Sequence, residues 1–117
     1  MNAERHAKLQ ETLEHIVRTL TREYQPDKII LFGSMATGNV HEWSDLDLVI
    51  IKDTARPFVQ RGVEAALLCR ARVGVDYLVY TSDEFAQMIA EDNIFIVDEV
   101  IAKGKVLYER EPAQAVA

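Results

Sequence analysis

The stretch Gly33-Ser34-Met35-Ala36-Thr37-Gly38 is followed by a short polar loop and then by Ser44-Asp45-Leu46-Asp47-Leu48. The rest of the chain is organised around these residues. An apolar run, Ile29-Ile30-Leu31-Phe32, precedes the stretch, and another, Leu48-Val49-Ile50-Ile51, ends it. Both runs are short and rich in β-branched residues, which predicts two strands. Gly33 interrupts the first strand, and Ser34 can cap a short helix.

Two carboxylates stand two residues apart at the start of the second predicted strand. Because successive side chains alternate between the faces of a strand, Asp45 and Asp47 are expected to point the same way. Leu46 and Leu48 then point to the other side, into a core. The N–H groups at a helix start suit phosphate, and paired carboxylates suit Mg²⁺. The stretch therefore predicts a site for a phosphate compound and a divalent cation.

A third carboxylate, Asp76, lies inside the apolar run 73–80, which predicts a third strand. An ionised carboxylate in such a run is costly unless it is paired, hydrogen-bonded or bound to metal. A structural ion pair with an arginine and a place in the metal site are both compatible with this pattern.

Together, Gly33-Ser34, Asp45-Leu46-Asp47 and the later Asp76 resemble the signature of the nucleotidyltransferases related to DNA polymerase beta. The fuller local pattern, with Ala36, Gly38 and Ser44, is similar to the minimal nucleotidyltransferases of prokaryotes. This resemblance implies an α/β (α+β) fold of the polymerase-beta type. Such a fold has a single mixed sheet of about four strands covered by helices.

The resemblance also implies the residues of a two-metal site. Asp45, Asp47 and Asp76 are expected to be the catalytic residues and to hold two Mg²⁺ ions. The phosphates of a nucleoside triphosphate are expected to bind at Gly33, Ser34 and Ser44.

Three functions remain open. The first is Mg²⁺-dependent transfer of a nucleoside monophosphate, AMP from ATP, to an acceptor hydroxyl. The resemblance implies that this acceptor is a tyrosine of a HEPN-type toxin, so that the chain acts as an antitoxin. The second is a regulatory subunit that binds nucleotide or occludes its partner without catalysis. The third is transfer to a small molecule such as an aminoglycoside.

Other sites that contain aspartates or bind phosphate lack their motifs here. A calcium loop would need a central glycine and a glutamate at its twelfth position, and a Walker site would need Gly-Lys-Ser/Thr after the first strand. Dinucleotide binding would need Gly-x-Gly-x-x-Gly. None of these patterns follows the strand that ends at Phe32.

Composition narrows the remaining classes. The chain has 117 residues and a formal net charge of -6, which argues against broad binding to a nucleic-acid backbone. Its single cysteine, Cys69, excludes an internal disulfide and is expected to be a small buried apolar residue. Without an apolar run of membrane-spanning length or a signal-peptide pattern, the sequence predicts a soluble cytoplasmic protein. A catalytic domain this short predicts a protein partner or a homo-oligomer that completes the acceptor side.

The expected order is helix, strand, short helix, strand, helix, strand, helices and an edge strand, with a domain over 1–109 and a tail over 110–117. Thr81 and Glu84 predict a capping box. One face of the second long helix is expected to carry Phe58, Val59, Gly62, Val63, Ala66, Leu67 and Arg70. The basic residues of this segment are expected to be solvated, with a contact to an acidic partner or to the nucleotide as the alternative; they are Arg56, Arg61, Arg70 and Arg72.

Overall fold

The structure is a computed structural model, and it describes residues 2–111. A π-helical turn, Leu20–Tyr24, extends the first helix, and a second π-helix, Phe95–Ala102, precedes the last strand. The remaining elements are α1 (Asn2–Thr19), β1 (Lys28–Phe32), α2 (Ser34–Thr37), β2 (Leu46–Ile51), α3 (Phe58–Cys69), β3 (Val75–Tyr80), α4 (Ser82–Ala90) and β4 (Lys105–Glu109).

The four strands form one sheet in the order β3-β2-β1-β4. β1 pairs antiparallel with both β2 and β4, whereas β2 pairs parallel with β3. The link between β1 and β2 is short, which suits an antiparallel pair, while α3 provides the crossover that a parallel pair needs. The expected mixed sheet and the edge position of β4 are confirmed.

Helices cover both faces of the sheet. The larger core packs α1, the π-helical turn and α3 against one face, and its fully buried residues include Leu9, Ile16, Leu46, Leu48 and Ile50. The smaller core packs the second π-helix and α4 against the other face, through Ile96 and Val100. Alternation along β2 sends Asp47 to this second face, while Leu46 and Leu48 fill the first core as expected.

The face of α3 that carries the apolar residues named above is largely exposed, and the helix buries another side. Ala65 and Cys69 are buried on this helix, whereas Val59, Val63 and Leu67 are exposed. The helix is apolar on more than one side, so its pattern alone did not decide which side meets the sheet. The expectation that Cys69 is a buried apolar residue is confirmed.

Arg61 is buried as well, which corrects the expectation that it is solvated. Its guanidinium donates to Glu84 at 2.6 and 3.2 Å, to the Val79 carbonyl at 3.1 Å and to the Arg56 carbonyl at 2.8 Å. Four of the five N–H donors of the guanidinium are therefore used, which allows the charge to be buried. Glu84 is also the third residue of the capping box at Thr81, which is confirmed.

The end of the described chain is held to the domain. The Arg110 N–H donates to the Asp27 carbonyl at 2.8 Å, and its guanidinium pairs with the Asp27 carboxylate at 3.3 Å. Of the expected tail over 110–117, residues 112–117 lie outside the described residues. Within 2–111, no helix is both long and apolar enough to cross a bilayer.

Candidate active site

The three candidate aspartates come from the start of β2 and from its parallel neighbour. Asp47 on β2 is in direct register with Asp76 on β3. Asp45 lies two residues before Asp47, just outside the strand. Because residues in register on adjacent strands share a face, the sheet holds Asp47 and Asp76 side by side. The Asp76 side chain is exposed. The apolar residues around it in the sequence therefore did not indicate that Asp76 itself is buried.

The two aspartates in register strongly affect each other. The pKa of Asp47 is raised to about 6, first by burial, then by a hydrogen bond to Asp76 and by the negative charges of Asp76 and Asp45. Two carboxylates this close are favourable only with a proton or a cation between them. Among residues 2–111, no lysine or arginine forms an ion pair with Asp76, so the structural ion pair considered for it is not present.

Two glycines make room for the carboxylates. A Cβ atom added at Gly33 would lie 2.3 Å from Oδ2 of Asp47, and one added at Gly74 would lie 2.7 Å from Cγ of Asp45. Gly33 also has φ 79° and ψ -161°, a conformation that larger residues rarely adopt. The backbone of the Gly33 turn therefore passes directly against the Asp47 carboxylate.

The Gly33 turn leads into the one-turn helix α2. Gly33 occupies the N-cap position, so Ser34 is the first helical residue and not the cap that the sequence suggested. The N–H groups of Ala36 and Thr37 donate to the Gly33 carbonyl. The N–H groups of Ser34 and Met35 have no hydrogen-bond acceptor within the described part of the chain. They are donors available to an anion beside Asp47.

A buried hydroxyl ties α2 to the start of β2. Ser44 is 2% exposed, and its Oγ accepts a hydrogen bond from the His41 N–H at 2.8 Å. The Ser34 hydroxyl lies 3.0 Å from the same oxygen. Ser44 therefore fixes the position of Ser34. Ser44 itself is connected to the site only through its hydrogen bond with the Ser34 hydroxyl. The adjacent Trp43 is 80% exposed on the same loop.

Arg5 is a site residue that sequence reasoning missed. From α1, its guanidinium donates to the Ser44 carbonyl at 3.0 and 2.7 Å and lies 3.4 Å from Oδ1 of Asp45. About forty positions separate these partners in the sequence, and nothing in the pattern around Arg5 marks it. Gly74 was missed in the same way, because its requirement comes from a contact across two strands.

A divalent cation fits the donor set. Asp47 and Asp76 present hard oxygen ligands that already need a positive partner, and free N–H groups for phosphate lie beside them. Within residues 2–111, no three His, Cys, Asp or Glu side chains are already gathered as a metal site. Asp45 is turned toward Arg5. Its carboxylate is largely exposed and can rotate toward Asp47 at little cost.

Comparison with known proteins identifies the family. The family model described as polymerase beta, nucleotidyltransferase, matches residues 14–113. A Methanocaldococcus jannaschii protein, named as a putative protein adenylyltransferase, is 31% identical over 101 residues, which are 85% of this chain and 97% of that protein.

Two solved structures share the fold. A putative nucleotidyltransferase from Sulfolobus solfataricus superimposes with a TM-score of 0.67 at 18% identity, over 95% of this chain and 89% of that one. A toxin-antitoxin structure with AMP-PNP gives a TM-score of 0.54 at 19% identity, over 84% and 73%. With the family model covering most of the sequence, the chain belongs to the polymerase beta nucleotidyltransferase family.

Proposed function

We propose that this chain is a Mg²⁺-dependent adenylyltransferase that moves AMP from ATP to a tyrosine hydroxyl of a HEPN-type toxin and so acts as its antitoxin. The observation that carries the proposal is the pairing of Asp47 with Asp76 beside the Gly33 turn. The name of the 31% identical relative supports protein adenylylation. The toxin-antitoxin structure with AMP-PNP supports a toxin partner and an adenine nucleotide.

The proposed reaction exchanges one phosphorus–oxygen bond for another. The acceptor oxygen bonds to the α-phosphorus of ATP, the bond from that phosphorus to the oxygen bridging it to the β-phosphate breaks, and pyrophosphate leaves. The acceptor hydroxyl loses its proton to the Asp76 carboxylate. Divalent cations held by Asp45, Asp47 and Asp76 would neutralise the phosphate charge and stabilise the attacking and leaving oxygens.

The remaining residues bind and position the triphosphate. The N–H groups of Ser34 and Met35 donate to the β- and γ-phosphates, where charge develops as pyrophosphate leaves. The Ser34 hydroxyl also donates there once its proton turns away from Ser44, whose own hydroxyl then donates to it. Ser44 holds the Ser34 hydroxyl in place. Gly33 allows the backbone to approach, since any side chain there would collide with Asp47.

Asp76→Asn tests the proposal because it keeps the shape of the side chain and removes its charge. ATP is held mainly by Asp45, Asp47 and the Gly33 turn, so its affinity should change little. Transfer to the tyrosine of a co-expressed HEPN-type toxin should fall at least ~10²-fold, the lower range for a lost proton-transfer or charge-stabilising group. Single-turnover transfer and calorimetry on the same variant measure the two effects.

Asp83→Asn is the matched control, since Asp83 lies in the first turn of α4, beyond the opposite end of β3 from Asp76. It should transfer AMP at the normal rate. If Asp76→Asn also transfers AMP at the normal rate, Asp76 has no catalytic role. If the wild-type chain neutralises the toxin without any AMP transfer, the regulatory subunit considered above replaces the enzyme.

A further inference from the structure

The outward side of α3 carries a row of exposed apolar side chains. Val59, Val63 and Leu67 follow one another at four-residue spacing and are 76%, 53% and 66% exposed. Residues at this spacing lie above one another on one side of a helix. A contiguous exposed apolar row on a small domain marks a surface that meets another molecule.

The row borders a groove that leads to the proposed catalytic carboxylates. The groove lies between α3 and β3 and has a volume of about 300 Å³. Its walls include Val59, Val63 and Ala66 of the helix and Val75, Asp76 and Leu78 of the strand. A molecule in this groove therefore contacts the same Asp76 that is in register with Asp47.

A β-strand bound in the groove could not pair with β3 along its whole length. Arg61 already donates to the Val79 carbonyl at 3.1 Å. α3 also passes so close to β3 that a Cβ atom at Gly62 would lie 2.9 Å from the Tyr77 carbonyl. Because α3 covers these carbonyls, side-chain packing against its apolar row remains as the means of binding. An amphipathic helix with the same four-residue spacing fits such a row.

Charge distinguishes the possible occupants. Residues 56–72 contain four arginines and one glutamate, although the whole chain carries -6. Arg61 is buried against Glu84, and Arg56 pairs with Glu64, so the exposed positive charge of this segment comes from Arg70 and Arg72, which follow the apolar row. A second copy of this chain would place the same positive segment against this one. A partner helix with acidic residues beside its apolar stripe is complementary instead.

We infer that the α3/β3 groove is the docking surface for the acceptor protein, which binds through an acidic amphipathic helix and presents its hydroxyl at Asp76. This inference rests on the proposed function, because it names the surface that brings the acceptor to the same site.

The test uses a fluorescein-labelled amphipathic peptide with leucines at four-residue spacing, flanking glutamates and one tyrosine at the end of the apolar stripe. A scrambled peptide of the same composition is the control peptide. Fluorescence anisotropy without ATP measures binding to the wild-type chain, Val63→Gln, Leu67→Gln and Val106→Gln. Val106 is the matched control, because it is 55% exposed and lies on β4 at the opposite edge of the sheet.

The wild-type chain should bind the amphipathic peptide at least ~10-fold more tightly than the scrambled peptide. Val63→Gln and Leu67→Gln should each remove most of this difference, whereas Val106→Gln should keep it. Equal binding of the two peptides, or equal effects of Val63→Gln and Val106→Gln, would overturn the inference. So would a dimer, seen by sedimentation, that Val63→Gln dissociates, because a second copy would then occupy the groove.

A second measurement separates this inference from the proposed function. With ATP and Mg²⁺, the wild-type chain should transfer AMP to the amphipathic peptide faster than to the scrambled one. If it adenylylates both peptides equally, the docking surface is wrong and the transfer activity stands. If it adenylylates neither peptide nor N-acetyl-tyrosinamide, transfer to tyrosine is wrong, and the anisotropy measurement still decides whether the groove binds an amphipathic helix.

Discussion

Gly33 and Gly38 flank the four-residue helix α2, and both have a positive φ, but their surroundings differ. Their φ angles are 79° and 87°. A Cβ atom at Gly33 would collide with Asp47, whereas one at Gly38 would meet nothing within 4 Å. Alanine at either position should cost about 1–3 kcal/mol of unfolding free energy. Only Gly33→Ala should also displace Asp47 and weaken Mg²⁺–ATP binding, by at least ~10-fold in calorimetry.

Gly38→Ala is the control for that comparison, because it places alanine at a positive φ at the other end of α2 without the collision. Equal ATP affinity of the two variants would show that the close approach of Gly33 to Asp47 has no part in nucleotide binding.

The raised pKa of Asp47 predicts how stability changes with pH in the absence of metal. The folded chain protonates Asp47 with a pKa of about 6, above the ordinary aspartate pKa of 3.8 that applies in the unfolded chain. Between these values the folded state binds more protons, so the unfolding free energy should fall as pH rises from about 4 to about 6. Asp47→Asn lacks this proton and should become more stable relative to wild type over the same range.

Thermal melting in EDTA at pH 4, 5, 6 and 7 checks this expectation, with Asp83→Asn showing the effect of losing an unrelated aspartate. A melting-temperature difference between Asp47→Asn and wild type that stays constant over this range would contradict the raised pKa.

Local sequence patterns predicted the candidate site aspartates better than the residues that position them. Asp45 and Asp47 were assigned to one face because they alternate with Leu46 and Leu48 along a strand, and such local geometry follows directly from sequence. Arg5 and Gly74 act through contacts between distant segments. Neither has a local signature, so only the assembled fold could reveal them.

At the scale of elements, the Arg61–Glu84 pair joins α3 to β3 and α4. Arg61→Leu keeps much of the side chain's bulk but leaves the Val79 and Arg56 carbonyls without their donor. Unfolding in urea should show a loss of about 1–3 kcal/mol for these unpaired groups. Arg72→Leu, at an exposed position after the same helix, should change stability by less than about 0.5 kcal/mol.

If Arg61→Leu and Arg72→Leu unfold at the same urea concentration, the buried guanidinium does not hold these elements together. The loss of Arg61 should also raise the pKa of Glu84, since its hydrogen bonds are the largest cause of the lowered pKa of that carboxyl. Titration of Glu84 by NMR in Arg61→Leu provides a second measure of the same contact.

The inner side of α3 shows why an element's orientation is harder to predict than its existence. The helical spacing predicted the helix itself, which the structure places at Phe58–Cys69. Its apolar residues occupy several sides, and a buried arginine is so rare that Arg61 was expected to be solvated. The hydrogen bonds that Arg61 donates to Glu84 and to two backbone carbonyls elsewhere in the chain compensate for the cost of burying its charge.

At the scale of the whole molecule, the order of elements predicted strands alternating with helices and the family resemblance implied a mixed sheet, but neither showed which strands are neighbours. β2 and β3 are joined through α3 and pair in parallel, which puts Asp76 beside Asp47. A slip of one residue in this register would send Asp76 to the opposite face. Apolar packing on both sides of the sheet prevents such a slip. Strands β1, β2 and β3 each contribute buried residues to this packing, whereas the edge strand β4 contributes none that is buried.

The exposed indole of Trp43 gives the molecule a spectroscopic reporter. It is the only tryptophan in the 117 residues, and it stands two positions before Asp45 on the loop that Ser44 anchors. All tryptophan fluorescence therefore arises from one water-exposed ring beside the candidate site. Any ligand that reorders this loop changes the emission of that ring, so the unlabelled wild-type chain can report occupancy of its own site in a cuvette.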